Sequence, residues 1–319
     1  MDKATETSIR VTVGLCVKNA EKTIERCLMS IVNQSYPKNL ITVVVVDGKS
    51  KDKTIETIKR VLSNSPLHQI LLSDNGAGLG VARQIVVENT RDKYIVWVDA
   101  DAIINRNFVR SQVEFMEHHP KVCVATGTYI HKSDVHANLP ASLQSIGRHI
   151  GSAMARSKQP KRGFPPNDVS IYRVDTLRQV NGFDINIRGA SEDQDVLTCM
   201  RNLGWLVVVN PQAKYRVTPR GTWQELWAER VWFGYGDHFL GHKYKSMHVC
   251  MYHIPIINFY SGFKSGLQGY RLTSEKKSFL FPFFNVFSTV AWWHGYIKAH
   301  VEGYGHQVTV RETISELTV

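Results

Sequence analysis

Two carboxylates at a spacing of two, Asp99 and Asp101, follow an apolar run that ends in Trp97-Val98. A strand of that kind sets costly charges at its exposed end. Two oxygen donors so placed need a cation, and Mg2+ or Mn2+ suits them. A diphosphate completing the shell would let such an ion stabilise a departing phosphate. The triplet alone is weak, because acidic pairs at strand ends are common. A second cluster, Glu192-Asp193-Gln194-Asp195, opens a predicted helix just after IRGAS. Acids in a first helical turn complement the dipole, which is the ordinary explanation. Crowding three carboxylates would also raise one pKa toward the range of a general base.

Two arginines join these acids. Arg230 lies between Trp227 and Trp232; it either snorkels over a packed aromatic helix or carries its guanidinium to a diphosphate. Arg83 follows the glycine-rich DNGAGLGVA. The glycines there are spaced Gly-x-Gly-x-Gly and belong to the third repeat of strand and helix, so dinucleotide binding is the lesser reading. They suit close passage beneath a nucleotide, with Arg83 facing a phosphate. GKSKDKT lacks the leading glycine of a P-loop. His131, His149 and His238 show no metal-site spacing and are assigned no role.

The elements that must position these groups alternate. Strands are expected at Ile9–Val17, Leu40–Val46, Gln69–Leu72 and Tyr94–Val98. Helices are expected at about Ala20–Asn33, Thr54–Leu62 and Val81–Thr90. Such alternation implies a mostly parallel, right-handed α/β sheet, whose ligands sit beyond the carboxyl ends of its strands. Asp47, Asp74, Asp99 and Asp101 all fall there. Further on, a helix is expected at Asn105–His118, a strand at Val122–Ile130, and a polar stretch from Gln144 to Lys161 leading into RGFPPND. Then follow a strand at Val169–Arg173, a helix at Asp175–Val180, a helix at Asp193–Leu203, a strand at Trp205–Val209 and a helix at Trp223–Phe233.

The 319 residues carry 39 basic and 28 acidic side chains, a formal charge of +11. A basic surplus of this kind suits nucleic acid, an anionic membrane or a phosphate-bearing substrate. Five unpaired-looking cysteines, none in a CxxC, argue against a disulfide framework. MDKATETSIRVTVGL has no extended apolar core, so no signal peptide is expected and the catalytic part should face the cytosol. Beyond residue 245 the composition changes. Ser246–Phe263 and Phe279–Ile297 contain no Asp, Glu, Lys or Arg, yet prolines, histidines and asparagines interrupt both. The link between them holds Lys264, Arg271, Lys276 and Lys277 against Glu275. A basic link on the far side of a bilayer would oppose the positive-inside tendency. Helices lying in the interface are therefore favoured over full crossings. The expected division is a catalytic domain over 1–245, membrane-associated helices, interfacial or transmembrane, over 246–300, and a tail over 301–319.

Taken in order, VTVGLCVKNAEKTIERCLMSIVNQSYP, VVVVDGKSKDKT, GVARQ, YIVWVDAD, VNGFD, SEDQDV and ERVWFGYG resemble glycosyltransferase family 2 across about residues 9 to 236. The resemblance implies a GT-A, Rossmann-like fold and inverting transfer of a hexose from a UDP- or GDP-sugar, with Mn2+ or Mg2+. It implies that Asp47 contacts the nucleotide base and that Asp99 lies near the ribose and phosphates. Asp101 would bind the metal with Asp99, and Asp193 would deprotonate the acceptor hydroxyl with support from Glu192. Processive members carry QxxRW, whereas Trp227-Ala228-Glu229-Arg230-Val231 lacks both the Gln and the following Trp, which favours single transfers. Dolichyl-phosphate mannose synthases carry a Gln two residues past the DxD; here Ile103 stands there. A lipid-linked saccharide at the cytosolic membrane face is the expected acceptor, ahead of a polyprenyl or dolichyl phosphate. A non-catalytic sugar-nucleotide-binding scaffold is the reading from another class. Nucleic acid drops out as a partner, and the oligomeric state stays open.

Overall fold

The computed structural model describes residues 9–132, 137–157, 169–245 and 253–306. The chain divides into two compact units. One comprises Met1–Ile130, Ala155–Phe183 and Met200–Thr218, the other His131–Met154, Asp184–Cys199 and Pro219–Val319.

The first unit holds an eight-stranded sheet. Its strands are β1 (Val11–Val17), β2 (Ile41–Asp47), β3 (His68–Ser73), β4 (Tyr94–Val98), β5 (Ala102–Ile104), β6 (Val122–Tyr129), β7 (Val169–Arg173) and β8 (Leu206–Val217). They lie in the order β3-β2-β1-β4-β7-β6-β8-β5. The pairings β1–β2, β2–β3, β1–β4 and β6–β8 are parallel, while β4–β7, β6–β7 and β5–β8 are antiparallel. β1, β2 and β4 are buried almost throughout, as their continuous β-branched and apolar runs require. Helices α1 (Ile24–Val32), α2 (Thr54–Ser63), α3 (Leu79–Glu88) and α4 (Phe108–His118) make the crossovers. Ile24, Cys27, Leu28 and Ile31 of α1 and Ile58 of α2 pack with Val13, Leu15, Val43 and Val45 from the sheet into one core. Chain order runs outward from β1 through β2 to β3, then returns to β4 on the other side of β1. That reversal is a topological switch point, where open α/β sheets form their ligand crevice.

Several local expectations change. β5 was not anticipated: three residues carry too little pattern, and the strand exists because Ala102, Ile103 and Ile104 pair with Val217, Arg216 and Tyr215. β8 extends to Val217, well past Val209, because its second half alternates buried and exposed residues along Ala213, Lys214, Tyr215 and Arg216. The supposed polar stretch after Gln144 is mostly helix: α5 spans Leu139–Ser157. Residues 158–168, including RGFPPND, lie outside the described residues, as do residues 1–8 and Cys250.

The second unit is helical. Leu143, Ile146 and Ile150 of α5 recur at helical spacing and pack with Leu226, Phe281 and Phe284. Tertiary burial thus overrides a mixed local propensity. Helix α6 (Val174–Gln179) belongs to the first unit, and α7 covers Glu192–Asn202. Helix α8 runs from Trp223 to Lys243, ten residues beyond the expected end. It starts at a capping box, in which Thr222 accepts from the Glu225 N–H and Glu225 accepts from the Thr222 N–H, satisfying otherwise orphaned donors. Gly234 does not end it. An added Cβ there would lie 1.9 Å from the Trp292 carbonyl, and one on Gly295 would lie 1.9 Å from the Val231 carbonyl. The two glycines let α8 and α10 (Phe281–Val301) touch backbone to backbone. Helix α9 (Pro255–Thr273) precedes α10. Among the described residues, no helix is long and apolar enough to cross a membrane.

Candidate active site

Within the first unit, the acidic groups gather at the carboxyl edge of the sheet. Val98 ends β4, and Ala102 returns its N–H to the Asp99 carbonyl at 2.9 Å. Asp99-Ala100-Asp101 is therefore a tight turn between β4 and β5. The Thr218 N–H donates to the Asp101 carbonyl at 2.9 Å and fixes the far side of the turn. Asp99 and Asp101 both lie close enough to the buried Cys27 to act on its thiol. Burial pushes that thiol far above its usual range, and the two carboxylates push it further. Cys27 Sγ also donates to the Asp99 carbonyl at 3.4 Å.

Arg83 is only 6% exposed. Its guanidinium sits 4.9 Å from the Trp97 ring centroid and 5.7 Å from that of Phe183, within reach of the electrostatic attraction of both ring faces. Nη2 reaches Asp99 Oδ1 at 3.8 Å. The arginine expected to face a phosphate is thus aimed first at the first acid of the turn. Trp97 can occupy this place because its strand neighbour is Gly14: a Cβ at residue 14 would stand 2.7 Å from the indole.

Asp47 ends β2, and both its carboxylate oxygens accept from the Ser50 N–H at 3.2 Å, holding the GKS turn. Asp74 is buried, and its two oxygens accept from the N–H groups of Gly76 at 2.7 Å and Gly78 at 3.1 Å. It shapes the glycine loop that begins α3. The residues brought together in this unit are Arg83, Asp99 and Asp101. Asp47 lies on the same carboxyl edge, one strand beyond β1.

The second unit holds the other acids, and they separate by burial. Glu192 and Asp195 are 2% and 1% exposed, while Asp193 between them is partly open. Asp195 is bound: Lys243 Nζ lies 2.7 Å from its Oδ1 and 2.6 Å from Asp184 Oδ2, and the Tyr244 hydroxyl donates to it at 2.6 Å. The expectation that three clustered acids would tune one another is corrected here, since a lysine 48 residues away in sequence neutralises Asp195. Asp237, not among the expected site residues, lies close enough to Asp193 to feel its charge. Burial raises its pKa, donation from Ser191 and Trp292 opposes that, and the charge of Asp193 adds to the rise. Its oxygens accept from Ser191 Oγ at 2.6 Å and Trp292 Nε1 at 2.8 Å. An acid inside the aromatic and glycine run FGYGD was the available signal.

Arg230 lies 3.8 Å from Glu229 and 5.4 Å from the Phe233 ring centroid. Of the histidines left without a role, His131 contacts Ser145 and Glu275, each at 2.9 Å, and tilts against His149. His238 differs: it meets His242, His300 and His306. Burial first, then these neighbours, lower its pKa to about 4.

The fold has solved counterparts. It aligns with the mannosyltransferase PcManGT from Pyrobaculum calidifontis, solved with GDP-Man and Mn2+, at a TM-score of 0.64 and 18% identity, over 93% of this chain and 89% of that one. The architecture is α/β of the GT-A type. Residues 12–180 match the glycosyl transferase family 2 domain, so the chain belongs to that family and is a glycosyltransferase. Among curated relatives, the poly(ribitol-phosphate) beta-N-acetylglucosaminyltransferase TarS of Staphylococcus aureus is 31% identical over 211 residues, 63% of this chain and 34% of TarS. The chain therefore spans about a third of that relative. A Methanococcus voltae dolichyl N-acetyl-alpha-D-glucosaminyl phosphate 3-beta-D-2,3-diacetamido-2,3-dideoxy-beta-D-glucuronosyltransferase is 27% identical over 165 residues, half of each chain.

Proposed function

We propose that this glycosyltransferase performs inverting, single transfers of a hexose from a UDP- or GDP-sugar to a lipid-linked saccharide at the cytosolic face of the cell membrane. The observation that carries the reading is the Asp99–Asp101 turn at the switch point of the sheet, with Arg83 held against Asp99. Donor binding falls to this edge. Asp47 is suited to the base, Asp99 to the ribose and phosphates, and Arg83 to phosphate charge; Arg230, on α8 of the second unit, offers a further guanidinium suited to a diphosphate.

Asp99 and Asp101 offer only carboxylate oxygens, a donor set for a hard divalent ion such as Mn2+ or Mg2+. When bound, that ion would offset the charge of the nucleoside diphosphate as it leaves. The neighbour from Pyrobaculum, with its GDP-Man and Mn2+, has the same fold. Asp193 is the partly open acid of its cluster and takes the acceptor proton. As it does, the hydroxyl oxygen bonds to the anomeric carbon and the bond from that carbon to the diphosphate breaks, inverting the centre. Glu192, its buried neighbour in the chain, supports it.

Two features support a lipid-linked acceptor. Helix α9 packs inward through Gly262, Gly266 and Gly269 and turns Ile256, Ile257, Tyr260, Phe263 and Leu267 outward. Such inverted burial, flanked by exposed Lys264 and Arg271, suits an interfacial helix on anionic lipid. The Methanococcus relative is named for a dolichyl-linked saccharide phosphate. TarS, named for a poly(ribitol-phosphate) acceptor, adds a phosphate-bearing polymer as the second reading.

The test is a donor and acceptor panel with the full chain and Mn2+, on anionic vesicles. Asp193→Asn should abolish transfer while donor affinity persists, and Asp101→Ala should remove the metal dependence of donor binding. Full turnover by the first variant, or unchanged metal-dependent affinity in the second, refutes the roles. Recovery in the supernatant after vesicle sedimentation refutes membrane attachment, and turnover of a soluble polymer alone selects the second reading.

A further inference from the structure

We propose that His238, His242, His300 and His306 form a second, separate metal site, built for a divalent transition ion of the Zn2+ class. One ligand atom from each of the four lies within 4.8 Å of the others. His238 and His242 are four residues apart on α8, so both project from one face of that helix. His300 comes from the last turn of α10. The chain then reverses through Gly303 and Gly305, both at positive φ, and returns His306 to within 5.0 Å of the His300 ring and 4.8 Å of the His242 ring, centroid to centroid. Three separate pieces of chain therefore deliver imidazoles to one point.

Two of the separations already match a tetrahedral centre, and the rest lie within 4.8 Å. Zn–N bonds of about 2.0–2.1 Å at tetrahedral angles set ligand nitrogens roughly 3.3 Å apart. His238 Nε2 stands 3.3 Å from His300 Nδ1, and His306 Nε2 stands 3.4 Å from the same atom. One proton on His300 Nδ1 cannot serve both neighbours well, whereas a cation between them serves all the nitrogens. The ring orientation is also set. His238 Nδ1 faces the Tyr304 carbonyl at 2.7 Å and so carries the hydrogen, which leaves the Nε2 lone pair toward the cluster. A backbone acceptor behind a ligating imidazole is the usual arrangement in metal sites.

The donor chemistry separates this site from the carboxylate turn. Four imidazoles and no carboxylate favour Zn2+ or a neighbouring transition ion over Mg2+ or Mn2+. Four protein ligands close the coordination shell, so the site is structural: it clamps α8, α10 and the terminal turn together.

The experiment uses the full chain without a polyhistidine tag, stripped with EDTA and titrated with ZnSO4. Bound zinc is measured after equilibrium dialysis, and melting temperature is followed in parallel. One equivalent should bind and raise the melting temperature. His242 and His306 are exposed, so His242→Gln and His306→Gln should melt like the parent when metal-free. Each should lose at least 100-fold in zinc affinity. Asp99→Asn with Asp101→Asn should keep the equivalent, and Co2+ should give the intense absorption of a four-coordinate centre. Absence of stoichiometric zinc overturns the proposal. So does zinc binding that survives the histidine variants or vanishes with the aspartate pair.

Discussion

Removing the ammonium of Lys243 probes a buried group of three charges in the helical unit. Lys243 is 2% exposed and Asp184 and Asp195 are 3% and 1% exposed. The Nζ stands 2.6 and 2.7 Å from their oxygens, which puts those two oxygens no more than 5.3 Å apart. Lys243→Met keeps an unbranched side chain one atom shorter but leaves two carboxylates facing each other away from water. Breaking a buried pair by deleting one partner costs about 3–5 kcal/mol, because an uncompensated charge remains. At roughly 2–4 °C per kcal/mol for chains approaching this size, the apparent melting temperature should fall by roughly 10 °C. Converting Asp184 and Asp195 to Asn in the same chain removes the stranded charges and should recover most of the loss. The measurement is thermal and urea unfolding of the parent, the single variant and the triple variant. A single variant within about 1 kcal/mol of the parent would mean the triad is as replaceable as an exposed ion pair, and the argument fails. So does a triple variant no better than the single one.

Two further outcomes follow from local packing. Gly14→Ala must displace Trp97, the ring that seats Arg83. It should cost about 1–3 kcal/mol by overpacking and raise the donor KM more than it lowers kcat; unchanged donor affinity would detach Arg83 from binding. His253 stacks on Trp292 with ring centroids 3.8 Å apart, and burial, then Arg230, lowers its pKa to about 4. It is neutral when folded and takes a proton more readily when unfolded. The stability it contributes is complete above about 6.5 and drains away as pH falls toward 4. His253→Phe should flatten that part of the stability profile, and an unaltered acid limb would refute the assignment.

What was legible in the sequence was what short stretches determine. Continuous β-branched runs marked β1, β2 and β4, and acids set just beyond apolar strands marked Asp47, Asp99 and Asp101. What depended on distant chain was hidden. β5 exists through its pairing with Val217, Arg216 and Tyr215. Helix α5 is held by Phe281 and Phe284. Asp195 looked like a member of an acid cluster until Lys243 reached it. The expected end of α8 near Phe233 missed its continuation, because Gly234 is a place where another backbone comes close, at the Trp292 carbonyl. The spacing of four between His238 and His242 went unrecognised as a pair of ligands, and nothing local announces that His300 and His306 complete it.

The antiparallel strand β7 has a consequence for synthesis. It lies between β4 and β6, although β6 is made first. A growing chain can assemble β3-β2-β1-β4 once residue 98 has emerged, but β4 then presents an open edge until Val169–Arg173 arrives. Its five residues are buried and apolar, the kind of edge that recruits strands from other molecules. Truncations ending before residue 169 would leave that edge uncovered and should aggregate, while those retaining β7 would close it. The wedge strand thus sets the shortest N-terminal fragment of the first unit that can emerge without a sticky margin.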